Sequence, residues 1–222
     1  MTTITENLSK VHEDINRACR YAMVEEATPN IIAVSKRQSL DKITEALDAG
    51  HRVFGENRLQ EAQSRWPGLK QHYDGVSLHL IGQLQTNKVS DAVALFDVIQ
   101  SIDREKLARS LAGEMVKQNK RPDIFIQVNT GSEPQKGGVL PEDLPALVAL
   151  CRDELTLPLV GLMCIPPSDQ DPSLHFALLA KLAKRYSLPR LSMGMSGDFG
   201  LAASMGATDV RIGTAIFGAR ND

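Results

Sequence analysis

Cysteine is scarce in this sequence, and its three copies lie far apart. Cys19, Cys151 and Cys164 form no C-x-x-C pair and no even disulfide framework. That excludes a paired-cysteine metal site and a disulfide scaffold, and it fits a reducing cytoplasm. Basic runs are absent as well. Lys and Arg total 25 against 27 for Asp and Glu, a net charge of -2, so nucleic acid is not expected as a partner. No uninterrupted apolar stretch is long enough to span a bilayer. The segment from Met1 to Asp14 is polar and acidic and lacks the apolar core of a secretory signal. A cytoplasmic protein with no membrane partner is expected. His12, His51, His72 and His175 are scattered without metal-ligand spacing, and there is no G-x-S-x-G elbow. No Pro/Gly/Ser-rich linker or low-complexity segment breaks the chain, so one domain over 1–222 is expected.

Against these absences stands a regular alternation of helical and strand-like periods. Hydrophobic residues make up 42% of the 222 and charged ones 23%, enough apolar content for a folded core. Ile4, Leu8, Val11, Ile15, Ala18 and Ala22 recur at three and four residues and predict an opening amphipathic helix. A β-branched run from Ile31 to Ser35 predicts the first strand, with Ser39 or Asp41 as cap of the next helix. Strands follow at Val53-Phe54, Leu78 to Ile81, Asp97 to Gln100, Ile124 to Val128, Leu159 to Met163, Arg190 to Met193 and Asp209 to Ile212. Between them lie helical stretches, one ending near Ser64, one faced by Leu107, Leu111 and Met115, one by Leu144, Leu147, Val148 and Cys151, and one marked by Leu174, Leu178 and Leu182. About eight β-α units after an extra helix is the count of a closed parallel (β/α)8 barrel. A doubly wound open sheet also alternates, but usually with fewer strands.

In such a barrel the chemistry gathers at the C-terminal ends of the strands. Those ends here read Lys36, Glu56-Asn57, Gly82-Gln83, Ser101, Asn129, Met195-Ser196 and Gly213-Thr214. An amine beside a strand end loses its proton more easily than one in water, and a neutral amine attacks an aldehyde. The plainer reading of Lys36 is a surface lysine at a strand-loop junction. Gly194-Met195-Ser196-Gly197 and Gly213-Thr214-Ala215 suit a phosphate held by backbone N–H groups and hydroxyls, as loops after strands seven and eight often do; the same glycines also make tight turns. Arg211 lies inside the last strand, and the sequence leaves its direction open. If it points inward it needs an acceptor. His79 within its strand reads best as a buried, hydrogen-bonded histidine. Gly131 to Gly138 reads as a flexible loop over the end of strand five, with Lys136 as a solvated lysine or a second anion contact.

These segments resemble the pyridoxal-phosphate homeostasis proteins, a PLP-binding family. The matching residues are Ala33 to Lys36, Phe54 to Asn57 with Gln60-Glu61, His79 to Gly82, Leu84 to Lys88, Ile126 to Asn129, Gly161 to Met163, Leu191 to Ser196 and Val210 to Gly218. The resemblance covers nearly the whole chain in order. It implies a barrel like the N-terminal barrel of alanine racemase, with PLP as a Schiff base on Lys36. It places the phosphate on Ser196 and the backbone around Met195, Gly213 and Thr214, with Asn57 near the ring and Arg211 near the pyridine nitrogen. The sequence departs at Arg37-Gln38-Ser39, at Arg58 and at Gly197 to Gly200, which touch the rim. The expected function is a PLP carrier or buffer that serves apo-enzymes as a monomer, without robust catalysis. The chain ends just past the last unit, so no second domain is expected over the mouth, and no tyrosine follows a strand end to act as a second acid/base. The rivals are a PLP-dependent racemase or lyase, and a cofactor-free aldolase-type barrel that forms its Schiff base on a sugar phosphate.

Overall fold

The computed structural model describes residues 3–23 and 28–218. Eight parallel strands close into a barrel in sequence order. They are β1 Asn30–Val34, β2 Val53–Glu56, β3 Ser77–Leu80, β4 Val98–Ile102, β5 Asp123–Val128, β6 Leu159–Cys164, β7 Arg190–Ser192 and β8 Asp209–Ile212. The closing pair is β1 with β8, in the register Asn30↔Asp209 through Ala33↔Ile212. Around the barrel lie α1 Ile4–Tyr21, α2 Leu40–Asp48, α3 Leu59–His72, α4 Val89–Leu95, α5 Glu105–Gln118, α6 Leu144–Ala149, α7 Pro172–Arg185, α8 Phe199–Ser204 and α9 Thr214–Phe217. The closed barrel expected from the alternation is the fold, and the open sheet is not.

The extra helix α1 forms for local reasons. Thr3 and Glu6 make a reciprocal capping box at its start, a device that contributes about 1 kcal/mol. Its buried stripe is Ile4, Leu8, Val11, Ile15 and Cys19. The stripe packs against α8 and α9, and Asn7 Nδ2 donates to the Ile216 carbonyl at 2.8 Å. Of the two caps foreseen for α2, Ser39 does the work: its side chain accepts from Lys42 N–H.

Three helices depart from the sequence reading. Helix α3 does not end near Ser64 but continues through Pro67 to His72. Proline there removes one backbone bond, and burial outweighs that loss. Trp66 is fully buried against Phe54, ring centroids 4.8 Å apart, and Leu69 is buried one turn on. In α7, Leu174 is 70% exposed, whereas His175, Phe176, Leu179, Leu182 and Ala183 form the buried face. Of the three leucines in the expected stripe, Leu182 lies on this face and Leu178 packs against the core, while Leu174 faces outward. Helix α6 runs into a π-helical turn, Leu150–Glu154, which the pattern did not foresee.

Alternation along each strand sorts side chains to two sides. Ile31, Ala33, Leu78, Leu80, Ile124, Ile126, Val210 and Ile212 join the core shared with the helices. The other parity fills the barrel. Val98 and Phe125, from the half where strands begin, cluster with Met163, which lies farther along β6. Arg190 lies 4.9 Å over the Phe125 ring and holds fully buried Asp209 through Nη2 at 2.5 Å and Nε at 3.2 Å. Nearer the other end the interior turns polar, with buried His79, Gln100, Ser192 and Arg211.

Candidate functional site

The strand ends converge on one mouth, and the sequence-predicted residues divide there. Lys36 lies two residues past Val34, the last residue of β1, and is half-buried. Its neighbour Ser35 turns outward, donating from Oγ to Glu56 Oε1 at 2.8 Å. Gly213, at the end of β8, packs against Val34 of the neighbouring strand. The amine and the glycine loop thus arise from adjacent strands.

The loops after β7 and β8 are stitched by one hydroxyl. Ser196 Oγ accepts the N–H of Gly213 at 3.3 Å and of Ala215 at 3.4 Å. Two backbone donors converge on one point, the arrangement that receives an anion oxygen. Thr214 between them is exposed. Met195 is placed differently. Its N–H is engaged by Asp198 Oδ1 at 2.6 Å, and its side chain is 37% exposed. Asp198 thereby shapes the loop that carries Ser196.

Asn57 lies at the end of β2, and its Oδ1 is buried with no hydrogen-bond partner among the described residues. Its backbone is crowded by β3: a methyl built on Gly82 would stand 2.1 Å from the Asn57 carbonyl oxygen. Only a glycine lets the two strand ends approach this closely. Ser101 Oγ, at a bulge between the Ile99 and Ile102 pairings of β4, is likewise buried and unpartnered among the described residues.

Glu56 does not belong to the mouth, contrary to its place among the strand ends. Its carboxylate turns outward to Ser35 and to Trp66 Nε1, which donates at 3.0 Å. Burial raises its pKa above the ordinary value, opposed by those two hydrogen bonds. The loop from Gly131 to Gly138 is pinned rather than loose. Asn129 exchanges two bonds with Glu133, Gln127 Nε2 donates to the Gly137 carbonyl at 3.0 Å, and Gly138 N–H donates to Asp103. Lys136 pairs with Glu133 at 2.6 Å and donates to the Pro166 carbonyl.

The direction of Arg211 is now fixed. It points into the barrel, is 4% exposed, and donates from Nη1 to Ser192 Oγ and from Nη2 to the Cys164 carbonyl, each at 2.7 Å. Both acceptors are neutral, and Asp198 and Asp209 act on it through charge without forming an ion pair among the described residues. Burial lowers its pKa from the ordinary value. Ser192 and Gln100 around it were missed by sequence reading. The available signal was polar residues in phase with Arg211 and His79 inside otherwise apolar strands.

His79 is the buried, hydrogen-bonded residue that was expected. It lies between Gln100 and Ser77, and burial pushes its pKa down to about 4. The unfolded chain titrates near the ordinary value, so between about pH 6.5 and 4 it binds a proton that the folded chain refuses. This contribution is fully present above that window and is lost as pH falls through it. The loss is about 3 kcal/mol in total. Glu56, shifted upward, acts with the opposite sign. Urea unfolding at pH 7 and pH 4.5 on wild type and His79→Gln isolates the histidine: the variant should lose distinctly less stability on acidification, and equal losses would refute the assignment.

With the geometry in hand, comparison with known proteins is direct. The sequence profile described as "Alanine racemase, N-terminal domain" matches residues 7–221. The pyridoxal phosphate homeostasis protein of Aquifex aeolicus is 39% identical over 224 residues, covering 97% of each chain. The chain belongs to the pyridoxal phosphate homeostasis protein family. Among solved structures, PipY of Synechococcus elongatus without PLP is similar to this family member with a TM-score of 0.86 at 34% identity, covering 97% of this chain and 100% of PipY. PipY has also been solved with PLP bound, and that structure matches with a TM-score of 0.75 at 34% identity over 92% of this chain and 100% of PipY. Family membership thus agrees with the resemblance carried by the motifs, and the barrel is the alanine racemase N-terminal fold.

Proposed function

We propose that this protein binds pyridoxal 5'-phosphate as a Schiff base on Lys36 and serves PLP homeostasis as a carrier or buffer, without robust catalysis of its own. PLP, when bound, supplies an aldehyde that condenses with an amine with loss of water. The observation that carries the reading is chemical complementarity at one mouth. Lys36 is the amine for the aldehyde. Ser196, Thr214 and the backbone of Gly213 are donors for the phosphate. Met195 contributes the turn that Asp198 holds. Asn57 Oδ1, buried and without a partner among the described residues, is an acceptor for the ring hydroxyl, a donor. Arg211 offers N–H groups to the lone pair of the pyridine nitrogen. A cation there keeps that nitrogen unprotonated and makes the ring a poorer electron sink, which suits a carrier.

The positions of the tyrosines support the same conclusion. Tyr73 and Tyr186 follow α3 and α7 at the barrel end where strands begin, and the Tyr73 hydroxyl donates to Asp48 Oδ1 at 2.7 Å. Tyr21 is a surface residue of α1, 83% exposed. A racemase needs an acid/base on each face of its cofactor, and Lys36 supplies one. The carrier reading includes a monomer in the cytoplasm, one PLP-binding barrel over 1–222, and PLP-dependent apo-enzymes as recipients.

The test is a visible spectrum of the purified protein with PLP, before and after borohydride, with the modified peptide mapped by mass spectrometry. A band that reduces onto Lys36 supports the proposal. No band, even with added PLP, overturns it and points to the aldolase rival. A band together with rapid exchange of amino-acid α-protons would favour the racemase or lyase.

A further inference from the structure

The polar side chains inside the barrel form one line. Arg211 Nη1 donates to Ser192 Oγ at 2.7 Å, and Ser192 Oγ donates to Gln100 Oε1 at 2.6 Å. Gln100 Nε2 lies 3.0 Å from His79 Nδ1, and His79 Nε2 lies 3.1 Å from Ser77 Oγ. An amide N–H can only donate, so Nδ1 carries the lone pair and the proton of the neutral ring sits on Nε2. Every bond in the line then points the same way, from the guanidinium to Ser77.

We propose that Ser192, Gln100 and His79 are positioning residues for Arg211, holding its guanidinium in place with neutral partners so that its full charge faces the pyridine nitrogen of PLP. This rests on the PLP reading of the site. The chemistry of the line favours a purpose beyond burial. A carboxylate in place of Gln100 would accept from Ser192 equally well, but it would compensate the charge of Arg211. A neutral line orients without compensating. The direction also depends on a neutral imidazole. A proton on Nδ1 would face the Gln100 N–H groups and force the amide to turn, leaving the Ser192 hydroxyl opposite a second donor. The charges acting on His79 are Asp209, Arg190, Asp97 and Lys70, two of each sign, and its contacts Gln100 and Ser77 are neutral. Burial therefore keeps the ring uncharged.

Ser192→Ala and Gln100→Glu test the line in the full chain loaded with PLP. The readouts are the PLP dissociation constant, the pH midpoint of the visible band, and the melting temperature. Ser192→Ala releases the guanidinium and should weaken PLP about tenfold. It should also raise the pH midpoint by about one unit or more. Gln100→Glu should raise the midpoint by compensating the charge, and Ser192→Thr should restore the wild-type value. A purely structural line would move the melting temperature alone, so an unchanged midpoint in both variants overturns the proposal. A second measurement does not depend on PLP. Nitrogen-15 spectra of the histidine rings should show His79 as the Nε2–H tautomer at pH 7. An Nδ1–H tautomer overturns the line even where PLP binds, whereas absence of any PLP band in wild type overturns the site reading beneath it.

Discussion

Lys36→Ala should abolish the borohydride-reducible PLP band while leaving the fold in place. The loss is expected to be complete, because no other atom at the mouth offers an amine at the end of β1. The pairings of β1 with β2 and β8 end at Val34 and Ala33, so the substitution removes no ladder partner. A half-buried strand-end residue of this kind costs about 1 kcal/mol or less when truncated. The melting temperature should fall by no more than about 3 °C, given the size of the chain. Non-covalent PLP should still bind, because the proposed phosphate donors and Arg211 stay. A band that persists and reduces onto another lysine would move the Schiff base, with Lys136 first to examine.

Gly82→Ala should damage the proposed site while leaving every side chain assigned to PLP unchanged. The added methyl would stand 2.1 Å from the Asn57 carbonyl oxygen and 2.8 Å from its carbonyl carbon and Cα. These are backbone atoms, so no side-chain rotation relieves the overlap. The ends of β2 and β3 must separate, and Asn57 moves with them. Overpacking of this kind costs about 2 kcal/mol, a fall of roughly 6 °C in melting temperature. Displacing a positioned group by about 1 Å can cost up to about a hundredfold in function, so PLP affinity should drop by about tenfold or more. Gly68→Ala in α3 is the control, since its methyl would meet nothing within 4 Å. Equal behaviour of the two variants would show that the close approach at Gly82 does not shape the site.

The barrel was legible because each strand carries its own local signal. The runs at Ile31, Ile124 and Val210 are apolar and short, and polar strand ends follow them at nearly every turn. The mouth was legible for the same reason: residues that follow strands must gather there once the sheet closes. Orientation within the mouth was not. Glu56 and Asn57 are adjacent, yet the Glu56 carboxylate turns out to Trp66 while Asn57 Oδ1 is buried with no partner among the described residues. That choice follows from the course of α3, which continues through a proline that reads locally as a stop. Arg211 could not be aimed from sequence because its acceptors, Ser192 and the Cys164 carbonyl, come from β7 and β6. Such partners are decided by the register between strands, and no local period encodes it.

The three cysteines, too far apart in sequence to pair, sit in three different shells. Cys19 lies on the stripe by which α1 docks, with its thiol facing the Ala203 carbonyl of α8. Cys151 is in the π-helical turn on the flank, and Cys164 ends β6 beside Arg211. All three are buried, and burial pushes the thiols of Cys151 and Cys164 up to about 12. A buried neutral thiol does not react with an alkylating reagent until its surroundings open. The molecule therefore carries its own clock for breathing: the rates at which the three sulfurs are captured report separately on shedding of α1, loosening of the flank and rupture of the barrel wall. The last of these is the one that a bound cargo would slow.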